Sequence, residues 1–122
     1  MGQRILIVED EPNIVESLSF LLEREGYDID VETQGDKAAA RIQSLTPDLV
    51  ILDAMLPGRS GFDILRDIVA GGEARPRVMM LTAKGQTKDR KIAEEIGVDL
   101  FMTKPFANSE IVEAVAGLLS QA

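Results

Sequence analysis

The sequence has no cysteine, no histidine and no tryptophan, and a single tyrosine. Without cysteine there is neither a disulfide framework nor a thiol site, which fits a cytoplasmic protein. One tyrosine and no tryptophan leave few stacking partners for a flavin. No apolar run approaches the ~20 residues that a membrane span needs. No basic stretch leads an apolar one at the N-terminus, so no signal peptide is expected and no membrane association either. Positive charge is also in deficit: 13 Lys and Arg stand against 21 Asp and Glu, for a net charge of −8. A phosphate backbone would repel such a domain, which argues against its binding nucleic acid by itself. The acidity has two readings, a well-solvated surface or several acids concentrated at one cation site.

What is present is the pattern of one soluble domain. The chain has 122 residues, 45% of them hydrophobic, enough for a real core. Ile5–Val8, Leu49–Leu52 and Val78–Leu81 are short unbroken apolar runs, as in strands buried on both faces of a parallel sheet. Asp28–Glu32 alternates polar and apolar, as an edge strand does, and Leu100–Met102 is a short fifth strand. Helical patterns lie between them. Ile14, Leu18, Leu21 and Leu22 share a face, with Pro12 at the start and Gly26 at the stop. Ala38, Ala39, Ile42 and Leu45 form a second stripe before Pro47, and Phe62, Leu65, Ile68 and Val69 a third before Gly71-Gly72. A fourth helix runs from about Thr87 to Ile96 and stops at Gly97; the last starts at a capping Asn108 or Ser109. Strict alternation of strand and helix predicts an α/β fold, a parallel sheet with helices on both faces and right-handed crossovers. With no repeat, low-complexity tract or linker, residues 1–122 are read as one domain.

In open parallel sheets ligands bind beyond the carboxyl ends of the strands, where strand order reverses. After the first strand come Glu9, Asp10 and Glu11; after the third, Asp53; after the fourth, Thr82; after the fifth, Lys104-Pro105. Neighbouring strands lie about 4.8 Å apart, so carboxylates ending adjacent first and third strands would crowd each other. A hard divalent cation relieves that crowding, and Mg²⁺ favours one or two carboxylates together with waters and phosphate oxygens. A carboxylate can attack phosphorus to give an aspartyl phosphate, while metal, lysine and hydroxyl balance the charge on the phosphoryl oxygens. Each residue alone has a plainer reading: a helix cap for Asp10, Glu11 or Thr82, solvated surface for Lys104. The joint arrangement is what points to chemistry.

In order, these residues resemble the receiver domain of two-component response regulators. The resemblance rests on Ile7-Val8-Glu9-Asp10-Glu11-Pro12, Asp48 to Gly58 with Gly61, Leu81-Thr82-Ala83, Gly97-Val98-Asp99 and Phe101 to Phe106, and so covers essentially the whole chain. It implies a flavodoxin-like doubly wound (βα)5 sandwich with strand order 2-1-3-4-5. It implies that Asp53 is phosphorylated, and that Asp10, Asp53, the backbone carbonyl of Met55 and, through water, Glu9 hold Mg²⁺ or Mn²⁺. Thr82 matches the hydroxyl that moves towards the phosphoryl group, Lys104 the lysine that bridges to it, and Phe101 the aromatic switch. The Lys104–Pro105 bond matches one that is usually cis.

Having no histidine, the chain cannot be the phosphohistidine donor. The resemblance implies a sensor histidine kinase or histidine phosphotransfer protein as partner, and an output protein or domain contacting the face of helix four, strand five and helix five. The domain would catalyse its own phosphorylation and dephosphorylation, with no separate turnover substrate. Two departures stand out. Glu110–Val115 lacks the arginine that winged-helix regulators carry in the last helix, and Leu100 stands where they often have an acid, so their charged dimer is not expected. Neither Met55 nor Lys84, two residues after Asp53 and Thr82, can orient a water, which predicts slow self-dephosphorylation. Rival readings are an interaction module independent of phosphorylation, an aspartyl-nucleophile phosphatase, which would need an acid where Met55 stands, and a flavodoxin-like cofactor binder, whose first loop would not carry Glu9, Asp10 and Glu11.

Overall fold

The computed structural model describes residues 2–83 and 87–120. Five strands, β1 (Arg4–Val8), β2 (Asp28–Glu32), β3 (Leu49–Asp53), β4 (Arg77–Ala83) and β5 (Leu100–Lys104), form one parallel sheet in the order β2-β1-β3-β4-β5. Between and after them run α1 (Pro12–Arg24), α2 (Ala38–Leu45), α3 (Gly61–Val69), α4 (Thr87–Ile96) and α5 (Asn108–Leu119). This is the expected flavodoxin-like doubly wound α/β fold. No helix among the described residues is long and apolar enough to cross a membrane.

The unbroken apolar strands make sense once the two faces of the sheet are separated. Leu6, Val8, Val50, Leu52, Val78, Met80 and Phe101 point to one side, where they meet Ala38, Ile64, Leu65, Ile68 and Ala93 of α2, α3 and α4. Ile5, Ile7, Leu49, Ile51, Met79 and Leu81 point to the other and meet Leu18 and Leu22 of α1 and Ile111, Val115, Leu118 and Leu119 of α5. Successive residues of a strand face opposite ways, so a strand covered on both sides must be apolar at every position. β2 pairs only with β1, and its alternating sequence follows from having one edge and a half-covered face.

Helix ends mostly follow the local signals. Pro12 opens α1, and the chain leaves it through Gly26 at φ +95°, a left-handed conformation that costs a Cβ-free residue little. Ser60 caps α3, its hydroxyl accepting from the Asp63 N–H at 3.2 Å. Two expectations are corrected. The residue flanking α5 is Ala107, not Asn108 or Ser109; Ala107 has no side-chain acceptor, and the Glu110 carboxylate reaches back to accept its N–H at 2.8 Å. Ala39 is exposed, because α2 turns Ala38, Ile42 and Leu45 towards the core and leaves Ala39 about 100° round the helix.

Candidate phospho-acceptor site

Asp53 is the last residue of β3, and the β1–β3 register places Val8 opposite Leu52. The chain beyond β1 therefore passes beside Asp53. One carboxylate oxygen from each of Glu9, Asp10 and Asp53 lies within 4.8 Å of the others. Glu9 and Asp53 are buried and Asp10 is exposed. The Met55 N–H donates to Asp53 Oδ1 at 3.2 Å, and the Glu11 N–H to Glu9 Oε2 at 3.2 Å. Met55 itself is 71% exposed.

The loop after Asp53 is held by close backbone packing. Gly61 at the start of α3 is buried, its N–H donates to Ala54 O at 2.9 Å, and a Cβ there would overlap the Asp53 carbonyl oxygen and Ala54 Cα. Only glycine lets α3 begin this close to the end of β3.

Lys104 closes the site from β5, with β4 intervening between its strand and β3. Its Nζ lies 2.9 Å from Glu9 Oε1, 3.5 Å from Asp53 Oδ2 and 4.0 Å from Glu11 Oε1. One ammonium thus faces three carboxylates. Burial is the main reason that the Glu9 carboxyl is pushed up to about 7; Asp53 adds to the shift and Lys104 opposes it. For Lys104 burial works downward, but Glu9 and Asp53 outweigh it and its pKa is raised. Glu9 Oε1 is buried, and its partner is the Lys104 ammonium at 2.9 Å. Three carboxylates converging within 4.8 Å, with one ammonium beside them, are a donor set that a hard divalent cation satisfies. The residues present fit such an ion.

Thr82 lies on β4 one residue past Leu81, the partner of Asp53 across the sheet, and is buried. Its hydroxyl donates to Asp89 Oδ2 of α4 at 3.5 Å. Phe101 is buried on the α4 side, and the Arg90 guanidinium sits 5.0 Å from its ring centroid. The Lys104–Pro105 peptide is cis. The structure therefore brings Glu9, Asp10, Asp53 and Lys104 together, with Thr82 on the strand between β3 and β5. Lys84 lies outside the described residues. Two participants escaped the sequence reading, the α4 residues Asp89 and Arg90. An acid in a helix's first turn reads as a partner for the helix end, and nothing in the sequence says that it also meets Thr82.

A parallel doubly wound sheet with an acid cluster and a lysine at one rim defines a class of aspartate-centred phosphoryl-binding domain. The family model for the response regulator receiver domain matches residues 5–116, and the chain belongs to that family: it is a phospho-acceptor module of two-component signalling. It is 41% identical over 119 residues to the DNA-binding response regulator MtrA of Mycolicibacterium smegmatis, covering 98% of this chain and 51% of that one. To the alkaline phosphatase synthesis transcriptional regulatory protein PhoP of Bacillus subtilis it is 37% identical, over 98% of this chain and 49% of the relative. The chain spans about half the length of the curated relatives it matches. Among solved structures, the receiver domain of a signal transduction histidine kinase from Syntrophus aciditrophicus is 35% identical with a TM-score of 0.88, over 99% of this chain and 92% of that one. The receiver domain of the sensor histidine kinase PA1611 from Pseudomonas aeruginosa, described with a magnesium ion coordinated in its active-site cleft, is 26% identical with a TM-score of 0.88, over 98% and 99% of the two chains.

Proposed function

We propose that residues 1–122 act as one receiver unit in which Asp53 accepts a phosphoryl group from the phosphohistidine of a sensor histidine kinase or histidine phosphotransfer protein. The observation that carries this reading is the convergence of Glu9, Asp10, Asp53 and Lys104 at one rim. An Asp53 carboxylate oxygen forms the new P–O bond as the P–N bond of the donor breaks, and the electron pair leaves with the imidazole. Lys104 offers its N–H groups to a phosphoryl oxygen while remaining near Asp53, and the Thr82 hydroxyl supplies a further donor. Asp10, Asp53, the Met55 carbonyl and, through water, Glu9 would hold Mg²⁺ or Mn²⁺. Such an ion supplies charge neutralisation between the acceptor carboxylate and the incoming phosphoryl group.

Transfer onto Asp53 and the slow hydrolysis that reverses it are the whole chemistry of this reading; no separate turnover substrate belongs to it. The face of α4, β5 and α5 transmits the change to an output protein or domain, with Phe101 as the switch, and a cytoplasmic setting fits both partners. Direct nucleic-acid binding is not part of the reading: the DNA-binding description belongs to relatives about twice this length, and the acidic charge of this chain opposes it. The test is incubation with a phosphorylated histidine phosphotransfer protein, or with acetyl phosphate, in the presence of Mg²⁺. Intact-mass analysis should show one phosphoryl adduct on the wild type and none on Asp53→Asn; an equal adduct on both would refute the assignment.

A further inference from the structure

The hydroxyl of Thr82 is already engaged. It donates to Asp89 Oδ2 at 3.5 Å, and Thr82 is only 1% exposed, so water does not compete freely for it. A hydroxyl has one hydrogen to donate. It can serve the Asp89 carboxylate or a phosphoryl oxygen beside Asp53, but not both. Asp89 is the third residue of α4, so the choice made by one hydrogen is also a choice about whether the first turn of α4 is tied to the end of β4. The next residue, Arg90, covers the buried ring of Phe101 at 5.0 Å. Adjacent residues of one helical turn thus touch both Thr82 and Phe101.

We infer that Asp89 is a positioning residue that holds the Thr82 hydroxyl in the unphosphorylated state and competes with the phosphoryl group for it. This rests on the phospho-acceptor reading above and deepens it. Phosphorylation draws the Thr82 hydrogen away, Asp89 loses its partner, and the start of α4 is released from β4. Asp89 thereby opposes phosphorylation and sets how strongly the modification is felt at α4. Arg90 carries the same displacement to Phe101, since its guanidinium moves with the turn.

Binding of beryllofluoride with Mg²⁺, which stands in for the phosphoryl group on Asp53, measures the competition directly. Removing the acceptor with Asp89→Ala should tighten binding roughly threefold to tenfold, as loss of one competing hydrogen bond implies, and should raise the rate of phosphorylation by acetyl phosphate in the same direction. Asp89→Asn keeps an acceptor oxygen and should lie closer to the wild type. In a Thr82→Ala background, Asp89→Ala should change nothing. Binding by Asp89→Ala that is unchanged or weaker overturns the inference. So does an Asp89→Asn variant that behaves as Asp89→Ala does, since charge alone would then be responsible, or an effect that survives loss of the Thr82 hydroxyl. A wild type that binds no beryllofluoride would instead strike down the acceptor reading itself, and this inference with it.

Discussion

The ammonium of Lys104 lies 2.9 Å from Glu9 Oε1 and 3.5 Å from Asp53 Oδ2, so the lysine is nearer to the buried acid after β1 than to the proposed acceptor. A long, flexible stem would let one charge that holds Glu9 turn to a phosphoryl oxygen under the proposed function. Lys104 is therefore the counterion of the unmodified site, and under the proposed function the same ammonium would become a ligand of the modified one.

The first consequence concerns Lys104→Met. Glu9 would be left buried beside Asp53 with no cation, and leaving a buried polar group unsatisfied costs about 1–3 kcal/mol. Urea denaturation at neutral pH without metal should show that loss, and millimolar Mg²⁺ should recover part of it. Equal stability of variant and wild type in the absence of metal would mean that the ion pair contributes nothing.

Glu9 also gives the metal-free protein an unusual pH dependence. Its folded-state pKa, about 7, lies above the ordinary value of 4.5, so between these values the native state holds more protons than the unfolded chain. Stability from this group is fully present below about 4.5 and is lost as pH rises through about 7. At 1.36 kcal/mol per pKa unit the effect is of the order of 3 kcal/mol at most. With chelator present, stability should fall from pH 5 to pH 7.5, and Glu9→Gln should flatten the slope. A wild-type curve rising across that interval would contradict the assignment.

Metal binding supplies a third test. Asp10 is the exposed acid of the cluster and Asp53 a buried one. Asp10→Asn should weaken Mg²⁺ binding by about tenfold or more, because ligand charge sets affinity for a hard cation. Asp53→Asn should also weaken it, while raising the stability of the metal-free protein by removing a like charge next to Glu9. Calorimetric titration and thermal melts with and without Mg²⁺ measure both, and a wild-type affinity in Asp10→Asn would exclude that residue as a ligand.

Gly61→Ala probes the packing that places the acceptor. Its new methyl group would press on the Asp53 carbonyl and Ala54 Cα, backbone atoms that do not yield without moving β3 or α3. A destabilisation of about 1–3 kcal/mol is expected, together with slower phosphorylation. A variant as stable and as reactive as the wild type would show that the close approach has no role in placing Asp53.

Met55 leads to the last prediction. Met55 is 71% exposed and has no group that can orient a water. The phosphorylated protein should therefore decay slowly, over minutes or longer, and Met55→Asn should shorten its lifetime. Hydrolysis within seconds in the wild type would refute this.

Much of this was legible in the residues taken one by one. Ile5–Val8 and Leu49–Leu52 announce central strands because a sheet covered on both faces tolerates no polar alternation, and Gly26 and Pro12 mark helix ends through backbone sterics alone. The rim position of Asp53 and Lys104 followed from the rule that chemistry collects where parallel strands end. These are local or periodic properties, and chain order suffices to express them. Strand extents were less legible, since β4 and β5 continue to Ala83 and Lys104 through polar residues that no hydrophobic pattern marks. What only the tertiary structure decided is which groups share a partner: that Lys104 pairs most closely with Glu9, that Glu9 is buried enough to favour its proton, and that Thr82 gives its hydrogen to Asp89. Distances between side chains on different strands, and the water excluded from between them, arise only when the sheet assembles, so no pattern along the chain could contain them.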